Sequence, residues 1–85
     1  MFNNRTEAQK EQVRQAIKEV AKITGSQAKL AAKLGIQRVS VCEWVRHGRV
    51  PPLRVIPLEQ LSGGRVSRHR LCPELYPEES NENQG

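Results

Sequence analysis

The sequence predicts an all-α fold, a compact domain of four to five helices that includes a helix-turn-helix motif. Two short helical patterns meet at Gly35 within residues 27–44, which is how this motif is laid out along a chain. An amphipathic stretch precedes the motif, and proline and glycine pairs divide the segment that follows it. The chain has 85 residues and is 36% hydrophobic, so one small core is possible and a second is not.

The first helix is predicted from Glu7 to Ile23. Thr6 and Gln9 have the spacing of a capping box, in which each side chain bonds to the backbone of the other residue. Gly25 is suited to end the helix. The apolar stripe, at intervals of three and four residues, comprises Val13, Ala16, Ile17, Val20, Ala21 and Thr24. The opposite face, with Lys10, Arg14 and Lys18, is expected to be solvated.

Ser26 is a good N-cap for a second helix, Gln27 to Leu34. After a turn at Gly35 and Ile36, a third helix begins near Gln37 or Arg38 and runs to about Arg46, before His47 and Gly48. The inner face of the second helix comprises Leu30, Ala31 and Leu34, and that of the third comprises Val41, Trp44 and Val45. Ile36 is expected to be buried in the corner between them.

The pair Pro51-Pro52 predicts the start of a fourth helix, since proline is tolerated in a first helical turn. This helix, Leu53 to Leu61, is expected to be short or bent, because Pro57 removes a backbone hydrogen bond. Its apolar residues are Leu53, Ile56 and Leu61. After Gly63-Gly64, Ser67 is suited to cap one further turn, Arg68 to Leu71. Leu71, Leu75 and Tyr76 are expected to fold back on the core.

Residues 1–6 are thus predicted to be a flexible N-terminus, residues 7–77 the folded domain, and residues 78–85 a disordered acidic tail, since the tail has little to bury.

The net charge is +5 and is unevenly distributed. Residues 26–54 and 65–70 are strongly basic, and every charged residue after Arg70 is a glutamate. A basic middle suits a polyanionic partner, because cationic side chains displace counterions from phosphates. A solvated basic surface without a partner is the alternative.

The outward face of the third helix carries the candidate base-contacting residues. At about 100° per residue, Val39 lies opposite the buried stripe, where an aliphatic group can pack on a thymine methyl. Arg38 can bind the O6 and N7 acceptors of guanine or contact a phosphate. Glu43 can accept from a cytosine amino group or pair with Arg46 or Lys33. The predicted base-contacting set is Gln37, Arg38, Val39, Cys42 and Glu43. The predicted contacts with the DNA backbone are Gln27, Lys29, Arg46 and Arg49.

Other classes of function are less well supported. Cys42, His47, His69 and Cys72 include the residue types of a zinc site, but their spacing matches no standard finger. Two thiols and two surface imidazoles are the preferred interpretation, with no metal or other cofactor. No nucleophile motif is present, so an enzyme is not expected. No apolar run of about 18 residues and no secretory signal appear, which predicts a cytoplasmic protein without a membrane span.

The motif resembles the helix-turn-helix of Cro-like phage repressors, whose signature positions match Gln27, Ala31, Gly35, Val41 and Trp44. The segments W-V-R-H-G-R-V-P-P and L-S-G-G-R-V-S-R-H-R-L-C-P-E-L-Y-P narrow the resemblance to YdaS-type antitoxins, over about residues 17–77. The sequence departs from that family at Gln37, where Ser or Thr is common, and at Glu43, where a basic or neutral residue is usual.

The resemblance implies a lambda-repressor-like domain that binds an inverted-repeat operator in double-stranded DNA as a homodimer. It also implies repression of transcription in a bacterial or phage-infected cell, at the nucleoid. A protein-binding role is the alternative, in which the chain acts mainly as an antitoxin and the tail from Pro77 onward folds on a toxin protein.

Overall fold

The computed structural model describes residues 6–76, and these form five α-helices without a strand. Apart from Thr6, the predicted flexible N-terminus and the predicted disordered tail lie outside the described residues. The all-helical fold class is confirmed. The helices are α1 (Glu7–Thr24), α2 (Gln27–Leu34), α3 (Arg38–His47), α4 (Pro52–Leu61) and α5 (Arg68–Leu71).

Helix α1 begins at the predicted capping box. The Thr6 hydroxyl accepts from the Gln9 backbone N–H, and the Gln9 side chain accepts from the Thr6 N–H, both at 3.1 Å. The predicted apolar stripe is buried from Val13 to Ala21. Because α1 contacts each of the other four helices, its stripe forms the centre of the core.

One face of α1 departs from the prediction. Periodicity predicts that Arg14 is solvated, but its guanidinium donates to the carbonyl oxygens of Val45 (2.9 Å) and Arg46 (3.3 Å) at the end of α3. The expectation is wrong because spacing within one helix carries no information about which helix end packs beside it. Arg14 thus joins α1 to α3.

Helix α4 includes Pro57 and continues through it. Its buried residues are Val55 and Leu58, whereas Leu53 is 87% exposed. Leu53 lies in the first turn of α4, two residues before the helix meets the core. The apolar residues predicted for this helix, Leu53, Ile56 and Leu61, therefore do not mark the face of α4 that is buried.

The connection from α4 to α5 is held by a buried serine. Ser62, only 2% exposed, accepts from the Val66 N–H at 3.0 Å and donates to the Glu59 carbonyl oxygen at 2.7 Å. Ser67 occupies the N-cap position of α5, but its hydroxyl makes no capping bond. The Glu59 carboxylate instead accepts from the Arg68 backbone N–H. The predicted hydroxyl cap is therefore wrong, and a carboxylate from α4 takes its place.

Of the three residues near the end of the domain that were expected to pack on the core, two do so. Leu71 is buried and Tyr76 packs against the core, but Leu75 is 51% exposed, so its predicted return to the core is wrong. Within residues 6–76, none of the helices combines the length and the apolar character needed to cross a bilayer.

Candidate nucleic-acid interface

The turn between α2 and α3 fixes the angle between the two helices. The Ser26 hydroxyl caps α2 by accepting from the Lys29 N–H at 3.1 Å. Gly35 ends α2 in the left-handed conformation (φ +73°, ψ +30°), which suits a residue without a Cβ. The Ile36 N–H then bonds to the Ala31 carbonyl oxygen at 3.0 Å. These bonds place α3 against α2, and the predicted boundaries of α2 are confirmed.

The inner face of α3 packs as predicted. Val41 is fully buried, Trp44 is 8% exposed, and Val45 packs against the core. The outer face carries Val39, which is 60% exposed, and Arg38, which is also exposed. The prediction that Val39 points away from the core is confirmed. Arg38 and Val39 thus extend into solvent from the first turn of α3, and their contacts with DNA stay predictions.

The structure brings together one residue from each predicted set. The Cys42 Sγ donates to Gln27 Oε1 at 3.3 Å, which joins the middle of α3 to the first residue of α2. Both residues are half-buried. Because the Gln27 oxygen is occupied, its amide nitrogen is the group that remains to donate to a phosphate. A base contact by Cys42 would require this bond to lengthen or break.

Glu43 has two partners on its own helix. Its carboxylate lies 3.5 Å from Arg46 Nη1 and 3.0 Å from His47 Nε2. The pair with Arg46 is one of the alternatives that the sequence suggests, and the contact with His47 is an additional one. These contacts leave Arg46 less positive toward a phosphate than an unpaired arginine would be.

One group of basic residues is paired with carboxylates. Arg68 donates to Glu59 at 2.9 and 3.1 Å, and Arg70 donates to both oxygens of Glu19 at 2.9 and 3.0 Å. Hydrogen bonds from Arg70 hold the pKa of Glu19 below its ordinary value of 4.5. The basic segment 65–70 is therefore largely neutralised by carboxylates on α4 and α1, contrary to its appearance in the sequence.

The second group lies on the helix-turn-helix and just after it. Within the described part of the chain, these cations have no carboxylate within ion-pair distance. They are Lys29 and Lys33 on α2, Arg38 on α3, and Arg49 after α3. The helix-turn-helix and the residue after it thus carry four unpaired cations, while Lys18, Lys22, Arg54 and Arg65 are unpaired elsewhere in the described chain.

The model of the family described as "Bacterial toxin YdaS" matches residues 13–80, which is most of the chain. The chain belongs to the YdaS family. The resemblance to the YdaS family that the sequence indicated is confirmed. The family is described as a toxin, however, whereas the resemblance implied an antitoxin. No curated protein matches the chain, and no solved structure does.

Membership connects this YdaS protein with toxin–antitoxin systems and places the helix-turn-helix inside the matched region. The departure at Gln37 has a visible effect. Gln37 occupies the N-cap of α3 without making a side-chain capping bond, as its residue type predicts. The first amides of α3 consequently lack a side-chain acceptor within the described chain.

The four residues weighed for zinc lie in separate local contacts in the YdaS chain. Cys42 bonds to Gln27, His47 contacts Glu43, and the remaining pair lies at or beyond α5. Among residues 6–76, the His, Cys, Asp and Glu side chains form no group of three or more that could hold a metal ion.

Proposed function

We propose that this YdaS-family protein is a sequence-specific DNA-binding regulator that inserts α3 into the major groove of double-stranded DNA and represses transcription. It acts by binding rather than by catalysis, in the cytoplasm of a bacterial or phage-infected cell. The observation that carries the proposal is the outward face of α3. Arg38 and the 60% exposed Val39 have no packing or pairing role there, and Lys29 and Lys33 on α2 and Arg49 after α3 are unpaired cations as well.

The proposed contacts follow from side-chain chemistry. Arg38 suits the two acceptors of guanine, and Val39 suits the methyl group of thymine. Gln37 precedes Arg38 and can pair with adenine. Lys29 and Arg49 are exposed cations that suit phosphates, so they add affinity without sequence preference.

A homodimer is part of the proposal, because a two-fold pair of domains matches an inverted repeat whose half-sites lie about 34 Å apart. An apolar groove of about 200 Å³ is lined in part by Val50, Pro52, Leu71 and Leu75. Leu53, 87% exposed, follows Pro52 directly. A projecting leucine beside an apolar hollow suits a second copy, since a two-fold contact places the leucine of each copy in the hollow of the other.

Selection from a random double-stranded oligonucleotide library tests the DNA proposal, because it requires no assumption about the operator sequence. We expect enrichment of an inverted repeat. Anisotropy titrations on the enriched site then compare Arg38→Ala with Arg65→Ala. Arg65 is the matched control, since it is exposed and lies outside the helix-turn-helix. Arg38→Ala should weaken the free energy of DNA binding by about 1–3 kcal/mol and reduce the preference for guanine at one position of the site. Arg65→Ala should change neither the binding free energy nor the preference.

Two further variants test the backbone contacts and the dimer. Lys29→Ala should weaken binding to all sequences alike and reduce the salt slope by about one. Leu53→Glu should shift the protein toward monomer in sedimentation, whereas Val39→Glu, an equivalent change on α3, should keep the dimer and abolish specific binding. The proposal fails if no sequence is enriched, or if Arg38→Ala and Arg65→Ala behave alike.

Binding of a toxin protein is the second candidate, and the family description favours it, since toxin–antitoxin proteins act in pairs. Deletion of residues 78–85 separates the two roles. A protein-partner role through the tail predicts loss of complex formation with a co-expressed toxin while DNA binding is kept. A tail that only aids solubility predicts that neither changes.

A further inference from the structure

Arg14 occupies the C-terminal end of α3 from a neighbouring helix. The last carbonyl groups of a helix lack intrahelical partners and carry partial negative charge. Arg14 Nε donates to the Val45 oxygen at 2.9 Å, and Nη2 donates to the Arg46 oxygen at 3.3 Å. The side chain is 25% exposed, so solvent screens this contact less than it screens a surface ion pair. A cationic fork on α1 therefore satisfies the end of α3.

The guanidinium is itself held in place. Arg14 Nη1 donates to Glu11 Oε1 at 3.0 Å, and Gln15 Nε2 donates to Glu11 Oε2 at 2.8 Å. Hydrogen bonds from Gln15 and from Arg14 lower the pKa of Glu11, which favours its charged form. All three nitrogens of the fork are thus engaged, and the planar group has one orientation.

The backbone of α1 comes close to the same end of α3. Gly48, the residue after α3, is buried, and a Cβ there would lie 2.8 Å from the Lys10 carbonyl oxygen. Lys10 and Arg14 are one turn apart on α1. The turn from Lys10 to Arg14 therefore fixes α3 along its axis, while Val41 and Trp44 fix its rotation by packing.

We infer that Arg14 is a positioning residue that sets how α3 presents its outward face to DNA. The inference rests on the proposed function. Arg46, whose carbonyl Arg14 binds, belongs to the same outward face as Val39 and Glu43. A small slide of α3 along α1 would displace all the base-contacting side chains together, without removing any of them.

The test uses Arg14→Met, which keeps an aliphatic stem and removes the fork, beside Arg70→Met as the matched control. Arg70 is 31% exposed, bridges two helices by a bidentate contact and bonds to α1, but it lies on α5. Both variants lose one positive charge. Arg14→Met should lower the ratio of specific to nonspecific DNA affinity roughly tenfold, the effect of losing one base contact. Arg70→Met should leave this ratio unchanged, and the salt slopes of the two variants should agree.

A second readout needs no DNA. Amide hydrogen exchange of Gly48 and Arg49, whose N–H groups bond to carbonyls at the end of α3, should be faster in Arg14→Met than in Arg70→Met. Arg14→Lys, which keeps the charge and loses the fork, should give an intermediate exchange rate and keeps the test valid if Arg14→Met does not fold.

The outcomes separate the two ideas. If the wild-type protein binds no specific DNA, the proposed function fails, and the exchange experiment still measures the cap on α3. If the wild-type protein binds specifically and Arg14→Met keeps its specificity ratio, the inference is overturned. It is also overturned if both methionine variants lower the ratio equally, because Arg14 would then act only through stability.

Discussion

Replacing Gly48 with alanine should destabilise the domain far more than the same replacement at Gly35. Both glycines end a helix of the helix-turn-helix in the left-handed conformation, with φ of +63° and +73°. Their surroundings differ. A Cβ on Gly35 has no atom within 4 Å, whereas a Cβ on Gly48 lies 2.8 Å from Lys10 Cβ and carbonyl oxygen and 3.0 Å from Lys10 Cα.

The magnitudes follow from two separate costs. An alanine in the left-handed conformation costs about 1–2 kcal/mol, and both variants share this cost. The overlap at position 48 involves backbone atoms of α1, which cannot move without shifting that helix. Overpacking of this kind costs about 1–3 kcal/mol. Gly35→Ala should therefore lose about 1–2 kcal/mol of unfolding free energy, and Gly48→Ala about 2–5 kcal/mol.

Urea and thermal unfolding measure these differences. Trp44 is the only tryptophan of the chain and lies on α3, so its fluorescence reports on the region concerned. Far-ultraviolet circular dichroism reports on all the helices. At about 4–8 °C per kcal/mol for a domain of this size, the additional loss of about 1–3 kcal/mol should lower the Tm of Gly48→Ala at least about 4 °C further than that of Gly35→Ala.

Equal losses at the two positions would refute the reasoning. They would mean that α1 can retreat from Gly48 without cost, so that the close approach of α1 to α3 does not contribute to stability. A larger loss at Gly35 would refute it as well, since the overlap with Lys10 would then add no cost at Gly48.

Three further predictions concern the core, one ion pair and one buried hydroxyl. Leu58→Ala should cost about 2–5 kcal/mol in urea unfolding because Leu58 is fully buried, whereas Leu53→Ala, compared at a protein concentration at which the protein is monomeric, should change stability by less than about 0.5 kcal/mol. Glu19 has a lowered pKa through Arg70, so its contribution is present above its ordinary pKa of 4.5 and is lost as the pH falls through the folded value. The stability difference between wild type and Glu19→Gln should thus be under about 1 kcal/mol at neutral pH and should shrink on acidification below pH 4.5. Ser62→Ala should cost about 1–3 kcal/mol, because a buried amide loses its acceptor.

Each of these has an outcome that would contradict it. Equal losses for the two leucine variants would place Leu53 in the core. A difference for Glu19→Gln that stays constant on acidification would mean that Arg70 does not act on the charged carboxylate. An unfolding free energy that is unchanged in Ser62→Ala would show that water replaces the hydroxyl as the acceptor of the Val66 N–H.

The helices were predictable because their ends depend on neighbours in sequence. Thr6, Ser26 and Gly35 each act on groups within five positions, so their roles were visible without a structure. The inner faces of α1 and α3 were predictable for the same reason, since helical periodicity is a local property. Exposure of Val39 followed from the same angular argument.

The features that could not be predicted from the sequence are side-chain contacts between different helices. Arg14 looked solvated because its partners, the carbonyls at the end of α3, lie 31 and 32 positions away. Arg70 looked like part of a basic patch, yet its partner Glu19 is 51 positions away. Glu59 replaced Ser67 as the cap of α5 through a contact across nine positions. In the candidate interface, periodicity identified the outward side chains but not the Cys42–Gln27 bond between helices.

The position of α1 has a consequence for synthesis of the protein. This helix is translated before the other four, yet it contacts every one of them, and its contact with α5 spans 51 residues. At about 5–20 residues per second, the ribosome needs several seconds to supply that partner. During this interval the apolar stripe of the nascent helix has no complete cover. Complete folding of the domain is therefore expected to await synthesis of α5, and products that stop before α5 are expected to be substrates for proteases.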